Sequence, residues 1–140
     1  MTTHPVYDLL IAEITDDLER KVLDAFLEKP GEHISRPDLV FAVFGVYVQQ
    51  KEISSSKEDR KNRKCIENLQ RKGYPIISSS GESGYILAAE DDETDAYIAE
   101  IGSRIQAMQE KQKALRESKK WTPIIRQWRD ERQIIQPRLL

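Results

Sequence analysis

The sequence predicts a mostly helical α+β chain: three helices and a β-hairpin forming one small domain, then a long helix and a short tail helix. Three observations predict it. Apolar residues recur at helical spacing in three segments between residues 15 and 73, each bounded by cap and stop residues. Two short β-branched and aromatic runs, Ile76–Ile77 and Tyr85–Leu87, then flank a Ser/Gly turn. Beyond Glu90, apolar residues repeat at alternating steps of three and four, with acids first and bases last. With 140 residues the chain holds one small domain plus extensions. The expected divisions are an N-terminal arm (1–15), the helix-and-hairpin domain (16–89), a dimerisation helix (90–118) and an amphipathic tail (119–140).

Val6, Leu9, Leu10, Ile11 and Ile14 give the arm enough apolar surface for a short helix. In the first domain helix, Thr15 is the expected cap. Asp16 and Asp17 suit the positive end of the dipole, and Leu18, Val22, Leu23, Phe26 and Leu27 share a face. Pro30 and Gly31 end it. The second helix has Ser35 as N-cap, Pro37 in the first turn and Asp38 at the third position; Leu39, Val40, Val43 and Phe44 follow before a left-handed stop at Gly45. Residues 46–56 have no clear period, and Val46, Tyr47 and Val48 are expected to extend the core. For the third helix, Ser55 and Glu58 have capping-box spacing. Asn62, Cys65, Ile66 and Leu69 form its inner face, and Gly73 closes it. The hairpin turn spans Ser78 to Gly84. Two strands alone are marginal in water, so the hairpin must lean on the helices.

Net charge is −2, but the charges are segregated. Residues 57–72 carry seven bases and three acids, residues 73–100 carry seven acids and no base, and residues 101–140 carry ten bases and four acids. Cationic charge is therefore confined to the third helix and the C-terminal region, a distribution able to meet phosphate. No apolar run reaches the roughly 20 residues of a membrane helix, and the first residues lack a signal-peptide pattern, so a cytoplasmic protein with no membrane partner is expected. The single cysteine, Cys65, is expected to be a small buried side chain, and with His4 and His33 it makes no metal cluster. No nucleophile elbow or phosphate-binding glycine loop is present. The acids from Glu90 to Asp95 suit a helix N-terminus, and no motif around His33 would make it a general base. The expectation is a non-enzymatic protein with no cofactor and no metal.

Residues 63–88, RKCIENLQRKGYPIISSSGESGYILA, resemble the end of the winged helix-turn-helix domains found at the N-terminus of biotin-repressor-type regulators and in small phage and mobile-element DNA-binding proteins. The matching positions are Ile66, Leu69, Gly73, Tyr74, Ile76, Gly84, Tyr85 and Leu87, and the resemblance covers about residues 16–89. It implies a recognition helix beginning at Lys57 and a wing tip at Ser79–Ser83. One departure stands out: the segment between Gly45 and the third helix is about ten residues longer than the family's tight turn.

The candidate DNA contacts are Lys57, Arg60, Lys61, Arg63, Lys64 and Arg71 on the third helix, with Ser79, Ser80 and Ser83 in the turn. Arg suits guanine edges, and both cation types suit phosphate. The partner expected is double-stranded DNA read in the major groove by residues 57–72, in a transcriptional regulator or replication accessory of phage or mobile-element type. Ile98, Ile101, Ile105, Met108, Gln112 and Leu115 form a heptad seam with a polar interruption at Gln112. Such a seam can pack back as a fourth helix or pair with a second copy; its narrowness favours a homodimer, parallel or antiparallel. Trp121, Ile124, Ile125 and Trp128 fall at i, i+3, i+4 and i+7 in a tail helix expected to be capped by Thr122. This face can fold back on the long helix or dock on a second protein. The rival function is accordingly a protein-interaction adaptor or inhibitor built on the same domain and tail.

Overall fold

The computed structural model describes residues 5–78 and 83–135, with side chains to residue 134. The chain divides into two units, residues 1–97 and 98–140. In the first, α1 (Pro5–Ile11) precedes α2 (Asp17–Leu27), β1 (His33–Ile34), α3 (Arg36–Phe44), a 3-10 turn (Gln50–Ser55), α4 (Lys57–Arg71), β2 (Ile76–Ser78) and β3 (Tyr85–Leu87). The helix α5 (Asp91–Glu117) follows and runs into the second unit, where a 3-10 turn (Ser118–Trp121) leads to α6 (Thr122–Ile135). The fold is thus mostly helical, with a small antiparallel sheet and a long C-terminal helix.

The helix ends follow the capping rules, twice with a one-residue correction. α2 starts on Asp16, whose carboxylate accepts the Glu19 backbone N–H at 2.9 Å, rather than on Thr15. A carboxylate at least matches threonine as a cap and also meets the helix dipole with a full charge. α3 starts on Ser35, which accepts from the Asp38 N–H, and stops at Gly45 with φ of 71°, as the sequence indicates. α4 is capped by Ser56, not Ser55. Ser56 accepts the Asp59 N–H at 3.1 Å, whereas the Ser55 hydroxyl donates to the Glu52 carbonyl inside the preceding 3-10 turn. That shift makes Asp59, not Glu58, the third residue of the helix. At the other end the Gly73 N–H donates to Gln70 and the Tyr74 N–H to Leu69, a Schellman closure that uses the left-handed φ of 97° at Gly73.

The core is built where α2, α3 and α4 meet the sheet. Phe26, Leu23, Val22, Leu39, Leu69 and Ile76 are fully buried in one cluster with Ile14, Ile34, Ile66 and Leu87. Each such side chain contributes on the order of 1.5–3 kcal/mol. Cys65 is buried, as expected. Tyr85 packs edge-on against Phe26 with ring centroids 6.5 Å apart. Tyr74 also packs on this cluster and donates its hydroxyl proton to the Leu10 carbonyl, while Tyr7 donates to Asp24 at 2.6 Å. These two bonds hold α1 in place although its Val6 and Leu9 are exposed.

The sheet has the order β1-β3-β2, so the hairpin is joined by a strand the sequence reading omits. Ile77 pairs with Ile86 on one side of β3, and His33 pairs with the same Ile86 on the other. Two residues are too few to show alternation, which is why β1 is invisible to periodicity. Gly84 makes the join possible: its φ is 138°, and a Cβ there would lie 2.3 Å from the Ile34 carbonyl oxygen. Residues 46–56 also depart from expectation. Val46 and Tyr47 are exposed, and the 3-10 turn instead delivers Ile53 to a fully buried position.

In the second unit no described side chain is buried. α6 is not folded back on α5: Trp121, Ile124, Ile125 and Trp128 are all more than half exposed. Thr122 has helical backbone angles, so the chain never leaves the helix there as a true cap would require. Among the described residues, no helix is long and apolar enough to cross a membrane.

Candidate nucleic-acid interface

α4 sorts its residues by face. Asp59, Asn62, Cys65, Ile66 and Leu69 point inward and are buried, while Lys57, Arg60, Lys61, Arg63, Lys64 and Arg71 are all exposed. Lys57, Arg60, Lys61 and Lys64 recur at i, i+3, i+4 and i+7 and so share one stripe. Arg71 lies two further turns along the same stripe.

The cations are not equivalent. Arg63 donates through Nε to Asp59 at 2.9 Å, and Arg36, from the first residue of α3, grips the same carboxylate with Nε at 3.0 Å and Nη2 at 2.6 Å. Asp59 is 2% exposed, so two guanidinium groups neutralise one buried carboxylate. Donating these hydrogen bonds to the Asp59 carboxylate holds the Arg36 pKa above its ordinary value. This cluster ties the start of α4 to the start of α3, and it engages Arg63 through Nε while leaving that side chain 44% exposed. Arg71 and Lys64 both lean on Glu67, at 2.7 and 4.0 Å, in fully solvated pairs worth little. Among the described residues, no hydrogen bond or ion pair engages the side chains of Lys57, Arg60 or Lys61.

The sheet supports α4 from the side opposite the stripe. Gln70 donates to the Ile76 carbonyl at 2.6 Å, linking α4 to β2. Lys72 forms an ion pair with the buried Glu19 of α2, which keeps that cation out of the stripe. At the base of the hairpin turn, the Ser83 hydroxyl accepts from Gln50 at 3.3 Å, and its carbonyl lies 3.2 Å from His33 Nε2. The turn base is therefore tethered to β1 and to the 3-10 turn. Ser79 and Ser80 lie outside the described residues; Ser83 is exposed.

Chemically, four exposed cations spread over two turns of one rigid face can neutralise successive phosphates of a polyanion. Sequence reasoning missed Arg36 and Asp59. Their 23-residue separation gives no local signal, although an acid three residues after Ser56 is the hint that Asp59 belongs to the cap region. Among the described residues, no three His, Cys, Asp or Glu side chains converge as a metal site. No protein-family model, curated protein or solved structure matches this chain.

Proposed function

We propose that the first unit is a winged helix-turn-helix domain that binds double-stranded DNA without chemistry, with α4 in the major groove and the 79–83 turn as the wing. The observation that carries this reading is the stripe of Lys57, Arg60, Lys61 and Lys64, exposed along α4 directly before a hairpin in the element order of such domains. Counterion release by these residues supplies affinity, and Arg60 is the best placed to read a guanine edge. Arg63 holds Asp59 through Nε and, with its side chain 44% exposed, also adds to the positive face. The regulator or replication role, resembling phage and mobile-element proteins, follows from that binding mode, with a homodimer presenting two such helices to a two-fold site.

Fluorescence anisotropy with a random-sequence duplex over a salt series tests it. The wild-type chain binds more weakly as salt rises, and changing Lys57, Arg60, Lys61 and Lys64 together to Ala flattens the log–log salt slope by roughly 3–4. Absence of duplex binding at low salt, or binding that survives the four substitutions, overturns the DNA reading and leaves the adaptor, for which the uncovered Trp121 and Trp128 speak.

A further inference from the structure

The turn between α5 and α6 brings the apolar seam of the first into phase with the aromatic face of the second. After Leu115 a regular heptad would continue at 119, 122, 126 and 129; the apolar residues instead fall at Trp121, Ile125 and Trp128, one position early. Ser118–Trp121 is wound as a 3-10 turn. Such a turn advances about 120° per residue against about 100° in an α-helix, so four residues add roughly 80°, close to the one residue lost. Ile98, Ile101, Ile105, Met108, Gln112, Leu115, Trp121, Ile125 and Trp128 thereby lie along one line, and all the apolar members are 37–69% exposed.

We infer that this line is covered by a second copy of the chain running antiparallel. The inference rests on the dimer named under the proposed function and gives it a direction and a register. Charge selects the direction. From Glu90 to Glu100 the chain carries six acids and no base, and from Arg104 to Arg132 nine bases and four acids. A parallel pair sets acid against acid and base against base; an antiparallel pair sets each acidic end on a basic one. The side chains select the register. Antiparallel pairing layers Ile98 on Trp128, Ile101 on Ile125, Ile105 on Trp121 and Met108 on Ser118, with Gln112 against Leu115 at the two-fold axis. Every large apolar residue of the seam except Met108, which faces Ser118, then meets another or sits at the centre. The same register places Asp95 beside the Arg129 of the other copy, a cation that in one copy only leans on its own neighbour Asp130 with both side chains over half exposed.

The test uses the full chain without DNA, so it stands or falls apart from the DNA reading. Sedimentation gives a dimer that Ile101→Asp shifts to monomer, and circular dichroism confirms that the first unit remains folded in that variant. Direction comes from oxidative cross-linking in a Cys65→Ser background. A mixture of Ile101→Cys and Ile125→Cys chains cross-links across species, whereas neither variant alone does. Asp95→Arg weakens the dimer at least tenfold at low salt, and combining it with Arg129→Asp restores it. A monomer at every concentration, or cross-linking of Ile101→Cys to itself, overturns the inference. So does association that requires an added second protein or lipid vesicles.

Discussion

Removing the Asp59 carboxylate tests the account of how α4 is oriented. In Asp59→Ala, three charge-assisted hydrogen bonds from Arg36 and Arg63 are lost, along with a charge placed favourably in the first turn of the helix. Breaking a fully buried ion pair by deleting one partner costs about 3–5 kcal/mol, because a charge is stranded. Here the survivors keep water within reach, the Arg36 side chain being 20% and the Arg63 side chain 44% exposed, so the cost falls to about 2–3 kcal/mol. For a first unit of this size that corresponds to a Tm lower by roughly 10–20 °C. Calorimetry or tyrosine near-ultraviolet signals are the assays to use, since both tryptophans lie in α6 and its flanking turn and do not report on this unit. Arg36→Ala and the double variant complete a thermodynamic cycle, with an expected coupling of at least about 1 kcal/mol. An Asp59→Ala cost under about 1 kcal/mol, or additive effects in the cycle, refutes the clamp. Arg63→Ala is expected to lower stability by about 0.5–1 kcal/mol, as an exposed pair within one helix allows.

Three further outcomes follow from the packing. Gly84→Ala places a methyl group against the Ile34 carbonyl at a positive φ, and it is expected to cost about 3 kcal/mol or more; an unchanged urea midpoint would show that β1 does not pair there. Asn62 is 1% exposed, and among the described residues neither of its amide atoms has a hydrogen-bond partner, so Asn62→Leu is expected to stabilise the fold by about 1–2 kcal/mol, and a loss of more than about 1 kcal/mol would reveal a hidden partner. Burial pushes the Cys65 thiol up to about 11. Native chain should therefore react with iodoacetamide about a hundredfold more slowly than unfolded chain at pH 8. The folded state holds this proton more tightly than the unfolded one, so the contribution is complete below pH 9 and is lost as pH rises through 11, by at most about 2–3 kcal/mol. Equal stability of wild type and Cys65→Ala across that range, after correction for their difference at pH 8, would contradict the buried thiol.

Local chemistry determined most of the helices. Ser35, Pro37 and Gly45 mark the ends of α3, and the inward set Asn62, Cys65, Ile66 and Leu69 on α4 is written directly in a 3.6-residue period. The cationic face of α4 was legible for the same reason, since what is excluded from the buried side of a helix must lie on the other. The choice of Asp16 over Thr15 and of Ser56 over Ser55 was decided by one residue of backbone geometry, which adjacent candidate caps do not encode.

Only the tertiary structure decided what each cation does. Arg63 reaches Asp59 one turn back on its own helix, but that this carboxylate is buried and shared with Arg36 depends on another helix arriving there. β1 exists because Gly84 lets two chain segments approach, a contact across 50 residues that no local pattern records. The phasing of α5 with α6 likewise depends on the 3-10 winding at Ser118–Trp121. A sequence determines which face of an element is apolar or charged through its period; which distant group meets that face depends on where the backbone carries it.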